Sequence, residues 1–178
     1  MKVLGLVGSP RKNGNTDLLV SSVLNGAGAS GHLAEKLYLY ELDISPCIDC
    51  RGCKKGEFRC AVDDDMTALY SKLEGADVIV FGTPLYWYGP TGKMKLMIDR
   101  LRPFVASKKL KGKKAILVTP SEEGASACDC LVRMFELSFK YLGIDLTDKI
   151  LVTAYDKAEV SEQPDALNGA FEVGRALK

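Results

Sequence analysis

Short aliphatic runs alternate with amphipathic segments along most of the chain. Five runs predict strands, over residues Val3–Val7, Ala34–Leu42, Asp77–Gly82, Lys114–Thr119 and Ile144–Thr153. Segments with apolar residues at helical spacing predict helices over Asp17–Gly26, Met66–Leu73, Gly92–Leu101, Ala127–Leu142 and Asp165–Leu177. Aliphatic strands that alternate with helices are typical of a parallel sheet covered on both faces.

The number and order of these elements indicate one α/β domain over residues 1–178, with a cysteine-rich loop at 46–60. Five strands and five helices in this length suit a flavodoxin-like, doubly wound, five-stranded parallel sheet of order 2-1-3-4-5 in a three-layer α/β/α arrangement. Thr16 or Asn15 is the predicted N-cap of the first helix.

Composition narrows the classes of function. Hydrophobic residues make up 47% of the 178 residues and the formal net charge is +1, which argues against binding nucleic acid through bulk charge and against disorder. No apolar run approaches the roughly 18 residues of a membrane span, and the N-terminal run predicts a buried strand instead of a signal peptide. We therefore expect a cytoplasmic protein, in which structural disulfides are rare.

The loop GSPRKNGNT, residues 8–16, joins the first strand to the first helix. Backbone N–H groups at a helix N-terminus form an anion site, and the hydroxyls of Ser9 and Thr16, the amide of Asn15 and the guanidinium of Arg11 can add hydrogen bonds to phosphate. The glycines match neither the triphosphate loop nor the dinucleotide fingerprint. The loop suits a terminal phosphate monoester, and the alternative is an ordinary polar turn.

Two further loops follow predicted strands. GTPLYWYGPTG, residues 82–92, carries Tyr86, Trp87 and Tyr88, which cannot all face inward because successive side chains of an extended segment alternate. Such a loop can offer peptide groups and rings to a flat heterocycle, or it can form a subunit interface. The loop TPSEEGASAC, residues 119–128, can close over a ring or be a plain turn.

Four of the six cysteines, Cys47, Cys50, Cys53 and Cys60, have the spacing C-x2-C-x2-C-x6-C. Cysteines two residues apart favour iron–sulfur clusters, and a single [4Fe–4S] site is geometrically reasonable here. The neighbouring Arg and Lys side chains would favour thiolates. Tetrahedral zinc and an empty loop remain alternatives. We expect Cys128 and Cys130 to be packing residues and His32 to lie on the surface.

GSPRKNGNT together with GTPLYWYGPTGKMKLMIDRL resembles the NADPH-dependent FMN reductase superfamily, and PCIDCRGCKKGEFRCAVDDDM resembles its iron–sulfur flavoproteins. The resemblance covers residues 1–101 and implies FMN, with a phosphate site, an isoalloxazine site and homodimers or homotetramers. The implied phosphate contacts are Ser9, Arg11, Asn15 and Thr16, and the implied ring contacts are Pro84, Leu85, Tyr86, Trp87 and Gly89, with Ser121 as a weaker addition.

The sequence therefore predicts an FMN-dependent oxidoreductase whose cofactor carries the redox chemistry. No general acid or base is assigned. The expected donor is NAD(P)H or a ferredoxin-like protein, and the expected acceptors are quinones, flavins or nitroaromatics. The main alternative is an electron carrier between protein partners, and a third is a scaffold that has lost its cofactor.

Overall fold

The computed structural model of the protein describes residues 1–178 and places all five strands in one parallel sheet of order β2-β1-β3-β4-β5. The strands are β1 (Lys2–Val7), β2 (Leu33–Tyr38), β3 (Val78–Gly82), β4 (Lys114–Ser121) and β5 (Asp145–Thr153). The helices are α1 (Asn15–Ala29), α2 (Met66–Gly75), α3 (Gly92–Asp99), α4 (Arg102–Ser107), α5 (Asp129–Leu142) and α6 (Pro164–Arg175). The flavodoxin-like α/β prediction is confirmed.

Burial along the strands follows their place in the sheet. Every residue of β3 is buried, as is nearly all of β1 and β4, whereas β2 and β5 at the edges contain only exposed and half-buried residues. Central strands contact helices on both faces and therefore need aliphatic side chains throughout. Val7 pairs with both Tyr38 and Gly82, so the loops that follow β1, β2 and β3 leave the same edge of the sheet.

The two faces of the sheet have separate cores. One core has 22 buried residues and packs the sheet against α2 to α5, with the rings of Phe81 and Phe139 centred 4.8 Å apart. The other has 14 buried residues and packs the sheet against α1 and α6. These two helices cross closely at Gly26 and Gly174, because a Cβ on Gly26 would meet the Phe171 carbonyl and one on Gly174 the Val23 carbonyl.

Several predicted boundaries are wrong by a few residues. α1 is capped by Gly14 and begins at Asn15, so its N-cap lies one residue before the earlier of the two predicted N-caps, Asn15 and Thr16. β2 ends at Tyr38, and a 3₁₀ turn, Leu39–Glu41, takes the rest of the predicted strand. The helix predicted to Leu101 ends at Asp99, and α4 follows as a separate helix with a proline in its first turn, a position that proline favours.

The predictions for the remaining cysteines and the histidine are partly wrong. Cys128 is buried and its Sγ lies 3.6 Å from Ser121 Oγ, but Cys130 is exposed on the outer face of α5 and does not pack in the core. His32 is half-buried instead of free on the surface, because its ring contacts the N-terminal amine and the Leu177 carbonyl, at 3.4 and 3.2 Å. All six cysteines are free thiols.

Candidate functional site

A cavity of about 180 Å³ opens at the carboxyl ends of the strands, where ligands of open parallel sheets bind. Its walls come from the loops after β1, β3, β4 and β5. Eight of the predicted site residues line it. They are Ser9, Arg11, Asn15, Thr16, Pro84, Leu85, Tyr86 and Ser121.

The loop that the sequence predicts to bind phosphate, residues 8–16 (named the phosphate-binding loop for that prediction), presents hydrogen-bond donors that have no partner within the protein. Gly14 caps α1 without a side-chain hydrogen bond, and the amides of Asn15, Thr16 and Asp17 donate to no protein atom. The Thr16 side chain is buried and makes no hydrogen bond. Unsatisfied donors at a helix N-terminus, together with the dipole of α1, favour an anion.

The charge at this cavity is positive near the loop. Arg11 and Lys157 both line it, and neither side chain pairs with a carboxylate or makes a hydrogen bond. The Ser9 Oγ accepts a hydrogen bond from the Arg11 amide at 3.2 Å, which leaves its hydroxyl proton free to donate. Two free cations, two hydroxyls and three free amides match the acceptor oxygens of a phosphate monoester. The residues present therefore fit the phosphate end of FMN.

Two predicted contacts are already engaged within the protein. Asn15 Nδ2 donates to the Asp156 carbonyl at 2.8 Å, and its Oδ1 accepts from the Val160 amide at 3.2 Å. The Ser121 hydroxyl donates to the Gly124 carbonyl at 2.8 Å. The side chain of Asn15 thus ties the phosphate-binding loop to the segment after β5, and its backbone amide is the group that remains available.

The loop after β3 is fastened to the loop after β1. The Gly8 amide donates to the Gly82 carbonyl at 2.7 Å, and the Thr91 hydroxyl donates to the Gly8 carbonyl at 2.5 Å. Thr91 also caps α3, and its own amide donates to the Thr83 hydroxyl at 3.1 Å. These bonds fix the two walls of the cavity relative to each other.

The aromatic corner of that loop is a tight reversal. Tyr86 and Gly89 exchange both backbone hydrogen bonds, at 2.9 and 3.0 Å, and the two residues between them have φ of 49° and 59°. Bulky residues rarely adopt this left-handed region, and such strain is often found at functional sites. Tyr86 lines the cavity, whereas the side chain of Trp87 is 97% exposed. Neither Trp87 nor Gly89, both predicted ring contacts, lines the cavity in this structure.

Part of the cavity wall comes from residues that are not among the predicted site residues. Ala154, Tyr155 and Lys157 belong to the segment after β5, and Glu122 follows β4. The signal was present, because the rule that ligands lie at the carboxyl ends of strands applies to the last strand as well as to the first, third and fourth. Reading the segment AYDK after β5 in the same way would have found an aromatic ring and a cation.

A larger cavity, of about 730 Å³, lies between the cysteine loop, α4 and α5. Its lining is mostly apolar, from residues such as Ile98, Leu101 and Val105, and it includes the carboxylates of Asp49 and Asp99. The larger volume would suit FMN better, but the hydrogen-bond donors that a phosphate needs line the smaller cavity. The smaller cavity is therefore the one whose residues fit a phosphate group.

The cysteine loop brings its four sulfur-bearing residues around one small cavity of about 10 Å³. Cys47 and Cys50 are exposed, Cys60 is half-buried and Cys53 is buried. No group of three or more Cys, His, Asp or Glu side chains in the protein is placed to hold a metal ion. The loop therefore gathers the right donor type for a cluster but does not present a preformed site, and the cavity is too small for one without a rearrangement.

The sequence predicts that the Arg and Lys side chains of the cysteine loop stabilise thiolates, but the structure shows a different arrangement. Arg51 and Arg59 pair with carboxylates of the loop itself, Asp49 at 3.5 Å and Glu57 at 3.0 Å. Burial raises the pKa of the Cys53 thiol, and the neighbouring Cys60 raises it further. At Cys53 the thiol form is thus favoured, and the expectation of a cation-stabilised thiolate is wrong there.

Comparison with known proteins identifies the family. The sequence model of the NADPH-dependent FMN reductase family matches residues 1–143. The chain belongs to that family. The FMN reductase match covers β1 to α5 and therefore includes the phosphate-binding loop, the aromatic corner and the cysteine loop.

The individual relatives of this chain carry two kinds of name. An iron–sulfur flavoprotein of Methanocaldococcus jannaschii is 38% identical over 70% of this chain and 65% of its own length. An NAD(P)H-dependent FMN-containing oxidoreductase of Bacillus subtilis, YwqN, is 26% identical over 96% of this chain and 94% of its own. The matches to several of the iron–sulfur flavoproteins span only about half of those relatives' length.

The solved structures agree on the fold. The NAD(P)H:quinone oxidoreductase from Methanothermobacter marburgensis superposes with a TM-score of 0.79 at 18% identity, over 100% of this chain and 99% of its own. At that identity the likeness shows the flavodoxin-like fold alone. None of the helices of the present chain combines the length and apolar character needed to cross a bilayer.

Proposed function

We propose that the protein is an FMN-dependent oxidoreductase that takes reducing equivalents from NAD(P)H and passes them to a quinone, flavin or nitroaromatic acceptor. The observation that carries the proposal is the set of free donors at the N-terminus of α1, in the cavity that Arg11, Ser9 and Thr16 line. Membership of the FMN reductase family supports FMN as the ligand for those donors. We also propose that the predicted site residues that line this cavity contact FMN.

Bound FMN supplies the hydride and electron chemistry, and the protein supplies position and electrostatics. The α1 amides, with the hydroxyls of Ser9 and Thr16, would hold the phosphate. Pro84, Leu85 and Tyr86 form an apolar wall that excludes water from one side of the cavity. Arg11 would neutralise the phosphate charge, and its exposure lets it close over the phosphate after binding.

Two measurements on the purified protein test this proposal. FMN titration followed by flavin fluorescence should show one site per chain, and Arg11→Met should weaken the affinity about tenfold, the usual effect of losing one charge-assisted hydrogen bond. Arg133→Met, on the exposed face of α5, is the matched control and should leave the affinity unchanged. NADPH oxidation with a quinone should then depend on added FMN. Failure to bind FMN would end the assignment.

A second candidate function is an electron carrier between proteins. It is favoured by one observation, the four cysteines around a common cavity, together with the names of the iron–sulfur flavoprotein relatives. We propose that the loop rearranges to bind a [4Fe–4S] cluster through Cys47, Cys50, Cys53 and Cys60. Iron and acid-labile sulfide assays on protein purified without oxygen test this, and a stoichiometry near zero would reject it.

The two functions differ in their electron donor. Rapid steady-state NADPH oxidation with a small quinone supports the enzyme. Reduction only by a ferredoxin-like protein supports the carrier.

A homodimer or homotetramer is our proposal for the assembly, because the exposed Trp87 and Tyr88 are typical of subunit interfaces, and light scattering of the purified protein tests it. A cytoplasmic location stays a prediction.

A further inference from the structure

The segment after β5, residues 154–160, forms a wall of the cavity that we propose for FMN. Ala154, Tyr155 and Lys157 line this cavity, whereas the FMN reductase match ends at residue 143, before β5 begins. Membership of the family therefore assigns no role to the segment. Its place in the fold indicates one, because ligands of open parallel sheets bind at the carboxyl ends of the strands.

The backbone of this segment is fastened to the rest of the site. Asn15 Nδ2 donates to the Asp156 carbonyl at 2.8 Å, and Asn15 Oδ1 accepts from the Val160 amide at 3.2 Å. The Ala154 amide donates to the Ser121 carbonyl at 2.9 Å, which holds the segment to the end of β4. The side chain of Asn15 therefore joins the start of α1 to two points of the segment.

Tyr155 combines a fixed backbone with a free side chain. Its amide donates to the Glu159 carboxylate at 2.7 Å, but its side chain is 64% exposed and its hydroxyl makes no hydrogen bond. A tyrosine side chain has only two rotatable angles, so ordering it against a ligand costs little conformational entropy. Tyr155 can therefore offer the face of its ring to a flat ligand in the cavity.

Tyr86 and Tyr155 lie on the two sides of the end of β4. Tyr86 follows β3 and Tyr155 follows β5, and β4 runs between these two strands. Neighbouring strands lie about 4.8 Å apart, so β3 and β5 are about 10 Å apart. A flat ring with a contact of about 3.5 Å on each face takes up about 7 Å of that distance. The spacing therefore admits one flat ring between the two side chains.

We propose that Tyr155 covers one face of the isoalloxazine ring of bound FMN, opposite the wall that contains Tyr86, and that Asn15 positions Tyr155 for this contact. The inference rests on the proposed function, because it adds a ring contact to the FMN site of that function. The cavity of about 180 Å³ is smaller than the roughly 300 Å³ at which ligand pockets begin, so one of its walls must move outward when FMN binds. The exposed side chain of Tyr155 can do this while its backbone stays in place.

This role of Asn15 differs from the phosphate contact that the sequence predicts for it. Both polar atoms of the side chain are bonded to the segment after β5, and only the backbone amide is free for phosphate. Asn15→Ala removes the side chain and keeps that amide. The substitution should therefore act on the position of Tyr155 and leave the phosphate donors of the α1 N-terminus in place.

FMN titrations of variants of the full chain, followed by flavin fluorescence, test the inference. Tyr155→Ala should weaken FMN binding about tenfold, since an aromatic contact and its buried area are lost. Tyr155→Phe should bind within about twofold of wild type, because the ring is kept and the hydroxyl has no partner to lose. Asn15→Ala should weaken binding about fivefold, and adding it to Tyr155→Ala should weaken binding by less than about twofold more, because both changes remove the same contact.

The visible circular dichroism of the bound flavin gives a second measurement that a general loss of stability would not alter. At saturating FMN this spectrum should change in Tyr155→Ala and in Asn15→Ala and stay as in wild type in Tyr155→Phe. Tyr141→Ala is the matched control, because Tyr141 is also an exposed tyrosine, at 70%, but lies on α5 and does not line the cavity. It should change neither the affinity nor the spectrum.

The outcomes separate the inference from the proposed function. Wild-type protein that binds FMN while Tyr155→Ala binds it equally well would overturn the ring contact. Losses that multiply in the Asn15→Ala/Tyr155→Ala double variant would overturn the positioning by Asn15 and favour a direct phosphate contact of its side chain. Wild-type protein that binds no FMN would defeat the proposed function instead.

Discussion

Arg100 donates two hydrogen bonds to Asp64, from Nη1 to Oδ2 at 2.7 Å and from Nη2 to Oδ1 at 3.0 Å, beneath the cysteine loop. The guanidinium is completely buried and also donates to the carbonyls of Ser45 and Val62, at 2.8 and 3.0 Å. These two carbonyls lie on either side of the loop, so one side chain joins its beginning to its end. These hydrogen bonds therefore join the two ends of the cysteine loop whether or not the four cysteines bind a cluster.

Asp64 completes the closure of the loop. Its carboxylate accepts hydrogen bonds from the Ser45 amide at 2.9 Å and from the Met66 amide at 3.0 Å, at the start of α2. Arg100 Nε is buried without a partner, and Arg100 lines the cavity that the four cysteines surround. One N–H group of the Arg100 guanidinium, at Nε, therefore has no acceptor beside the cavity that the four cysteines line.

Replacing Arg100 with Met should destabilise the protein by about 3–5 kcal/mol, because it leaves the buried Asp64 carboxylate without its cation. Urea unfolding followed by far-ultraviolet circular dichroism measures this. Arg133→Met removes an exposed arginine whose partner Glu136 lies 3.7 Å away, and it should cost under about 1 kcal/mol. Similar losses in the two variants would contradict the role given to the buried pair.

Asp17 should make the stability of the protein dependent on pH in the acid range. Burial alone would raise the pKa of Asp17, but hydrogen bonds from Lys36 at 2.7 Å, the Asn13 amide at 2.8 Å and Tyr38 at 3.0 Å outweigh it and lower that pKa. A carboxyl whose pKa is lowered by folding stabilises the protein above its unfolded pKa, about 3.9, and this contribution is lost as the pH falls through the folded value.

Asp17→Asn should therefore lower the free energy of unfolding by about 2 kcal/mol at pH 7, and the difference from wild type should shrink as the pH falls below about 4. Urea titrations between about pH 3 and pH 7 follow the two proteins across this window. Asp145→Asn is the control, because Asp145 is exposed and its side chain makes no hydrogen bond or ion pair. A gap between wild type and Asp17→Asn that stays constant with pH would rule out this account.

Two glycines of α6 should respond in opposite directions to the same substitution. Gly174→Ala places a methyl group against the Val23 carbonyl of α1 and should destabilise the protein by about 1–3 kcal/mol, since the helices must separate. Gly169→Ala lies in open space on the same helix and should stabilise it by up to about 1 kcal/mol, through helix propensity. Thermal melting of both variants provides the comparison, and a gain for Gly174→Ala would show that the helices are not so closely packed.

The arrangement of the fold could be predicted because its signals are local. Each central strand is a continuous aliphatic run and each strand is followed by a helical pattern, so strand order and layers follow from general rules of connection. The split between α3 and α4 follows from Pro103, which has no amide to donate and whose ring clashes with the carbonyl four residues earlier. The spacing of apolar residues cannot show that Arg100, between the two helices, contacts Asp64, which is far away in the sequence.

The candidate site was predictable to the same degree. Residues such as Ser9, Arg11 and Thr16 lie in a loop whose place after β1 is fixed by the sheet. The direction of a side chain in a reversal such as that at Trp87 is set by backbone angles that composition does not reveal. Lys157 lies after β5, where the rule for the carboxyl ends of strands also predicts ligand contacts, and Asn15 holds that segment beside α1.

Tyr86 and Trp87 are adjacent in the sequence but should contribute differently to FMN binding. Tyr86 lines the cavity and Trp87 is 97% exposed, so only the first ring can be covered by a flavin in this arrangement. Tyr86→Ala should weaken FMN binding about tenfold, since an aromatic contact and its buried area are lost. Trp87→Ala should change the affinity by less than about twofold, because a fully exposed side chain buries no area there. Fluorescence titration of FMN into each variant, at a protein concentration where light scattering gives the same assembly for both, makes the comparison. Equal losses would mean that the reversal turns Trp87 onto the flavin when the cofactor binds.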